Sequence, residues 1–215
     1  LTTGGNNTVV GDSALGTATT ATLNIVMGGD AMASVPAGQA VTGVVAIGQN
    51  AVKGSGSTTT GINYTTAVGY LAGAMNGVDG AVALGYKALN ALTTGAQNSA
   101  VGYESGKALT IGRYNTALGY RALLTEDVGD KSVAVGNNSL GLQNSDSDNE
   151  TAGNIGIGYN AGYYNVTGQN NVYVGLDAGL GASGQSNSFN TGVGKDALLS
   201  ITTGGNNAVL GSRAA

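Results

Sequence analysis

Short runs in which apolar and polar residues alternate recur along the chain at a nearly constant interval. Each reads Asn, a β-branched or small polar residue, a small residue, an aliphatic residue and Gly, then two residues of any kind, Ala, and Leu or Gly. NTVVGD (Asn7 to Asp12), NSAVGY (Asn98 to Tyr103), NTALGY (Asn115 to Tyr120), NTGVGK (Asn190 to Lys195) and NAVLGS (Asn207 to Ser212) show it most plainly. Anchored on the glycine there are twelve copies, at Gly11, Gly28, Gly48, Gly69, Gly85, Gly102, Gly119, Gly136, Gly158, Gly175, Gly194 and Gly211. The shortest interval is 16 residues, the longest 22 and the commonest 17, so one array occupies 1–215 without room for a second domain.

Alternation with a period of two predicts a strand in each copy, because a helix needs a period near 3.6. Glycine at this frequency also opposes helix, at roughly 1 kcal/mol for each interior position. A 17-residue unit with one strand, a second short segment at the Ala-Leu or Ala-Gly pair and Thr-Gly turns matches one coil of a parallel β-solenoid. Twelve coils, hydrogen-bonded one to the next, predict a rod of about 55 Å. The motif glycine is expected at positive φ where the chain leaves the strand, and a second glycine seven residues earlier (Gly4, Gly95, Gly112, Gly129, Gly168, Gly204) is assigned to the preceding turn. Asn stands four residues before the motif glycine at Asn7, Asn24, Asn98, Asn115, Asn154, Asn171, Asn190 and Asn207, which predicts a ladder of stacked side-chain amides.

The residue before the motif glycine is aliphatic or Met in every copy, from Val10 and Met27 to Val193 and Leu210. This row is expected to fill the coil. The alternate position is small, as at Ala46, Ala67, Ala83, Ala100, Ala117, Ala134, Gly156 and Gly192, and is expected to face outward. So thin a coil barely offsets its own chain entropy. The Ala-lined side is therefore predicted to pack against sister chains.

Composition supports order over a flexible linker: 39 Gly far exceed the usual share of about 7%, yet 41% of residues are hydrophobic and regularly placed. A net charge of −4 from 12 acidic and 8 scattered basic residues argues against nucleic acid as a partner. No apolar run approaches the ~20 residues of a membrane-spanning helix, so no membrane insertion is expected. The absence of Cys fits cytosol, virion or extracellular surface alike. Because the opening LTTGGNN matches Ile201 to Asn207 apart from its first residue, the chain is read as a piece of a longer array.

The units resemble the NSVAIG-type repeats of YadA-like trimeric autotransporter adhesin heads. They resemble still more closely the NTAVGY-x-AL repeats, with a TTG lead-in, of phage tail fibres and related surface proteins. The likeness runs from Thr2 to Ala214. It implies a left-handed parallel β-roll, a homotrimer of this chain with two identical copies, and a structural and adhesive role as a receptor-binding shaft. Partners would be a host-surface glycan or protein receptor and other fibre or virion proteins. The virion is the implied location, with the bacterial cell surface as the alternative. Two departures are the length of the units, greater than in the usual adhesin head, and the lack of a membrane-anchor barrel, coiled-coil stalk or self-cleaving chaperone.

Candidate chemistry is sparse. Without His or Cys there is no ordinary nucleophile and base pair, and the acidic residues are expected mostly at solvated turns, so the chain is read as a non-enzyme without cofactors. A polysaccharide-degrading tailspike remains the catalytic alternative, requiring two carboxyls across a groove. An ice- or crystal-binding solenoid is disfavoured because Thr fails to recur at a two-residue spacing in successive coils. Asp146 to Glu150 places oxygen ligands at alternate positions, but Thr151 and Ile157 stand where a calcium loop needs Gly and Glu, so no metal site is assigned. Tyr70, Tyr86, Tyr103, Tyr120 and Tyr159 directly follow motif glycines and should line one edge, as a structural ladder or a sugar-binding strip. These tyrosines, with Asp146 and Asp148, are the receptor or glycan candidates. The irregular stretches Ala33 to Gly43 (containing Pro36), Lys53 to Tyr64, Gln143 to Gly153 and Gly181 to Phe189 are expected as side loops suited to receptor contact.

Overall fold

A computed structural model describes residues 3–16, 18–35, 40–54, 62–73, 78–148 and 150–215. The fold is an all-β parallel solenoid, and no helix occurs among the described residues. Twelve three-residue strands, from Thr8–Val10 to Ala208–Leu210, pair in unbroken sequence order into one parallel sheet. Each motif glycine thus closes one strand, and twelve strands enclose about eleven turns. Register is strict: Thr116, Ala117 and Leu118 lie over Val133, Ala134 and Val135, and the same three positions align at every step. A second, three-stranded parallel sheet covers only the first coils, through Thr3–Gly5, Thr20–Thr22 and Ala40–Thr42.

The two faces of the strand are inverted relative to the expectation. Ala46, Ala67, Ala83, Ala100, Ala117 and Ala134 are fully buried inside their own chain and cannot touch a sister chain. The aliphatic row points outward instead, with Val10, Met27, Leu118 and Ile157 between 39% and 56% exposed. Alternation fixes which residues share a face but not which face is inner. Here the inner face is decided by what comes from across the coil. Leu89, Leu123 and Leu140, four residues past their motif glycines, are fully buried, as are Leu92 and Leu109, seven past theirs. A Cβ on Gly156 would lie 2.5 Å from Oγ of Ser139 and 2.9 Å from Cγ of Leu140, so the wall opposite leaves room for Gly alone in that strand.

The Ala-Leu segment is a buried turn and not a strand. In every coil four positions have positive φ: the motif glycine, the residues two and four after it, and the residue five before it. The motif glycines, at φ 126 to 138, fulfil the expectation. Many of the others are bulky, including Arg121 (φ 53), Leu123 (φ 52) and Tyr114 (φ 61), in a region that side chains with a Cβ seldom enter. The ladder between coils holds them there: Arg121 N–H donates to Tyr103 O at 2.9 Å, and Leu123 N–H to Ser139 O at 3.0 Å.

The Asn ladder forms as the spacing predicts. Asn24 Nδ2 donates to Asn7 Oδ1 at 2.9 Å, Asn171 Nδ2 to Asn154 Oδ1 at 3.0 Å, and Asn207 Nδ2 to Asn190 Oδ1 at 2.8 Å. In the middle coils the link runs through the backbone, Asn115 N–H donating to Asn98 Oδ1 at 2.9 Å, while Nδ2 of Asn98 and of Asn115 donates to Gly112 O and Gly129 O, at 2.7 and 2.8 Å. These carbonyls belong to the second glycine class, whose role differs from the one assigned: its members are not left-handed, but a Cβ on Gly95 would collide with the carbonyl of Gly112. Close packing, not turn geometry, requires glycine at Gly4, Gly95, Gly112, Gly129 and Gly168, while Gly204 in the last coil has room for a Cβ.

Candidate functional site

Coil stacking turns one sequence position into a column along the rod. Tyr70, Tyr86, Tyr103 and Tyr120 therefore align, with ring centroids 5.7, 4.9 and 5.3 Å apart and ring planes within 13° of parallel. Tyr86 and Tyr103 have a neighbouring ring on each face, so the column offers edges and hydroxyls, not open faces, to solvent. That arrangement matches the structural ladder, since a saccharide ring stacks on a free aromatic face. Tyr159 stands apart from the stack, because Asn137 occupies the column in the coil between.

Charged residues flank this column. Lys87 lies 5.1 Å over the ring of Tyr86 and Arg121 5.1 Å over that of Tyr120. Arg121 Nε also donates to Glu104 Oε2 at 3.0 Å, and Lys107 Nζ to Glu104 Oε1 at 2.8 Å. The Glu104 carboxylate, only 9% exposed in its side chain, is held below the usual carboxylate range, first by the Lys107 hydrogen bond and then by Arg121. Beside the triad runs a groove of about 530 Å³ spanning coils of Gly85, Gly102 and Gly119, with Ala91, Ala108 and Leu124 as apolar lining and Asn90 and Thr125 as polar lining. Glu104 is the one carboxylate on this groove.

The other acidic residues correct the picture of solvated turns in one respect. Glu126 is fully buried with no ion pair among the described residues, and Asp130 is 7% exposed. Five donors satisfy Glu126: the N–H groups of Val128, Gly129 and Ser145, the Ser145 hydroxyl, and Gln143 Nε2 at 2.7 Å. Gln143 continues the network to Ser132 Oγ and accepts from Asn154 Nδ2, bridging a coil whose ladder position holds Ser instead of Asn. Sequence reasoning missed Glu126 and Gln143. The available signal was their position seven after the motif glycine, where other coils carry Leu92 and Leu109.

Asp146 and Asp148 are exposed and form a separate cluster. Glu150 Oε2 accepts the amides of Asp146 and Ser147 at 3.1 and 3.2 Å, and Asp148 lies 4.0 Å from Arg113. Among the described residues no group of three or more acidic side chains is placed to hold a metal ion. The irregular stretches are only partly loops. Gln143 opens one of them inside the core, and Asn187 in another is buried and accepts the Tyr173 hydroxyl. Residues 36–39, including Pro36, and 55–61 lie outside the described residues. Tyr64, Tyr114 and Phe189, five before their motif glycines, are 71%, 52% and 58% exposed and were also missed; the signal was an aromatic where most other coils place Asn, Gln or Gly.

No family model matches the chain, nor does any curated protein or solved structure. No helix among the described residues is long and apolar enough to cross a membrane.

Proposed function

We propose that the chain is a structural and adhesive segment of a homotrimeric fibre, a receptor-binding shaft of the tail-fibre kind, that binds surface ligands without cleaving them. The observation that carries this reading is the outer face of the long sheet. Its strands turn two columns outward, one aliphatic or Met throughout (Val68, Leu84, Val101, Leu118) and one mostly β-branched (Thr66, Val82, Thr116, Val133), both half-buried or exposed in the single chain. A contiguous apolar face of this length favours cover by protein. Identical chains side by side would supply it at every rung, since their coils share one rise. The interface is thus assigned to the aliphatic columns and not to the alanines. A groove with one carboxylate, already paired with two cations, lacks the second carboxyl of glycoside cleavage, which favours binding.

Sedimentation equilibrium tests the assembly. A trimer is expected for the wild type, and Val101→Lys with Leu118→Lys should shift it to monomer while the circular dichroism stays β-rich. A compact wild-type monomer overturns the reading.

A further inference from the structure

We infer that the groove lined by Asn90, Glu104, Lys107, Arg121 and Thr125 is a binding site for an acidic saccharide, with Arg121 as the anchor for its anionic group. This deepens the adhesive reading given above and rests on it. The chain as a whole is acidic, at −4, but three of its eight basic residues, Lys87, Lys107 and Arg121, gather around Glu104 in three successive coils. On the groove itself one carboxylate faces two cations, and Lys87 stands one coil away over Tyr86, which leaves a local excess of positive charge that selects an anion.

Arg121 is prepared for this role by two contacts that do not use its whole guanidinium. Nε is committed to Glu104, and one face rests on Tyr120, which fixes the plane of the group. Its two terminal amino groups make no bond to the described residues, leaving an edge that fits a carboxylate, or a phosphate or sulfate ester, through paired hydrogen bonds. Fixing the side chain beforehand lowers the entropy lost on binding. Lys107 uses one of its three N–H bonds on Glu104, leaving others for the same anion.

The remaining lining suits a sugar ring. Ala91, Ala108 and Leu124 give an apolar surface to its C–H face, and a site for a drug-sized ligand has a similar volume. Asn90 donates its amide to Leu71 O at 3.2 Å, which directs its Oδ1 to accept a sugar hydroxyl. The groove's lining residues stand two to six places past their motif glycines, a different stretch of the coil from the aliphatic columns proposed as the interface.

The test is calorimetric titration of the intact chain with oligogalacturonate, a sulfated disaccharide, glycerol phosphate and neutral maltotetraose. Binding of one or more of the charged probes and not of maltotetraose is expected, weakening with salt, and the preferred probe identifies the anion. Arg121→Gln should lower that affinity at least tenfold. Ala91→Phe, which fills the groove without touching a charge, should abolish it while the thermal transition stays near that of the wild type. Equal binding of neutral and charged probes, no binding of any of them at millimolar concentration, or wild-type affinity in a folded Ala91→Phe chain overturns the site. Adhesion to cells that persists unchanged in both variants sinks the groove and spares the adhesive role. Loss of adhesion in the wild-type chain itself sinks that role.

Discussion

Coils that begin at Gly85 and Gly102 and those that begin at Gly158 and Gly175 share one backbone and fill it in opposite ways. In the first pair the strand contributes Ala83 and Ala100 to the interior, and leucines fill it from across the coil: Leu89, Leu92 and Leu109. In the second pair the strand contributes Tyr173, fully buried, and the opposite positions are Gly162 and Gly179, with Gly156 and Gly192 in the strands on either side. A Cβ on Gly179 would collide with the ring of Tyr173, and one on Gly162 would lie 3.0 Å from it. Volume is therefore conserved along the rod while its source moves from one wall to the other. The closing residue differs as well: Leu92 and Leu109 in the first region correspond to Glu126, Gln143 and Asn165 further along. At this closing position one stretch of core is apolar, the dry region of the rod, and the other carries a polar network.

The most damaging way to break this comparison is to mix its two solutions. Tyr173→Ala removes a ring with nothing to replace it and should cost about 3–5 kcal/mol. Gly179→Leu drives a side chain into that ring at a left-handed position and should also destabilise, by about 1–3 kcal/mol or more. The double variant restores the composition of the alanine-and-leucine coils and should recover a good part of the sum. Urea unfolding of all four proteins gives the coupling energy; strict additivity would mean that the two positions do not share a cavity.

Next in size is the polar network. Glu126→Gln keeps the shape but turns an amide nitrogen toward donors that now meet a carboxylate oxygen. A loss of about 2–3 kcal/mol is expected, since hydrogen bonds to a charged group are among the stronger ones. Leu109→Met in the dry region, a volume-conserving swap one coil below, should stay under about 1.5 kcal/mol. Equal losses at the two sites in thermal unfolding would refute the division into wet and dry segments.

The smallest effect belongs to Glu104, largely buried at the edge of the groove. Lys107 and Arg121 hold its pKa in the folded chain below the ordinary carboxylate range, so its charged form stabilises the fold at and above that range. That contribution should be complete at neutral pH and fade as pH falls through the depressed folded value. Comparing Glu104→Gln with the wild type from pH 7 to pH 2 should show a gap that closes only at the acid end. A gap that instead widened on acidification would reverse the assigned sign.

The chain's own pattern was enough to specify a parallel solenoid, its repeat length, the positive φ of the motif glycine, the amide ladder and the tyrosine column. Each follows from identity at a fixed spacing, because stacking converts a periodic residue into a row in space. What periodicity could not specify was direction. Ala100 and Val101 alternate in the sequence with no mark saying which is inside, and the answer came from Leu89 and Leu109, which reach the same interior from elsewhere in the coil. The groove escaped notice for a related reason. Glu104 and Arg121 stand two after their motif glycines, Asn90 and Lys107 five after and Thr125 six after, so periodicity gives three columns, and only the folding of the coil sets those columns side by side. Local order sets the columns, and the packing of one wall against another sets their faces and neighbours.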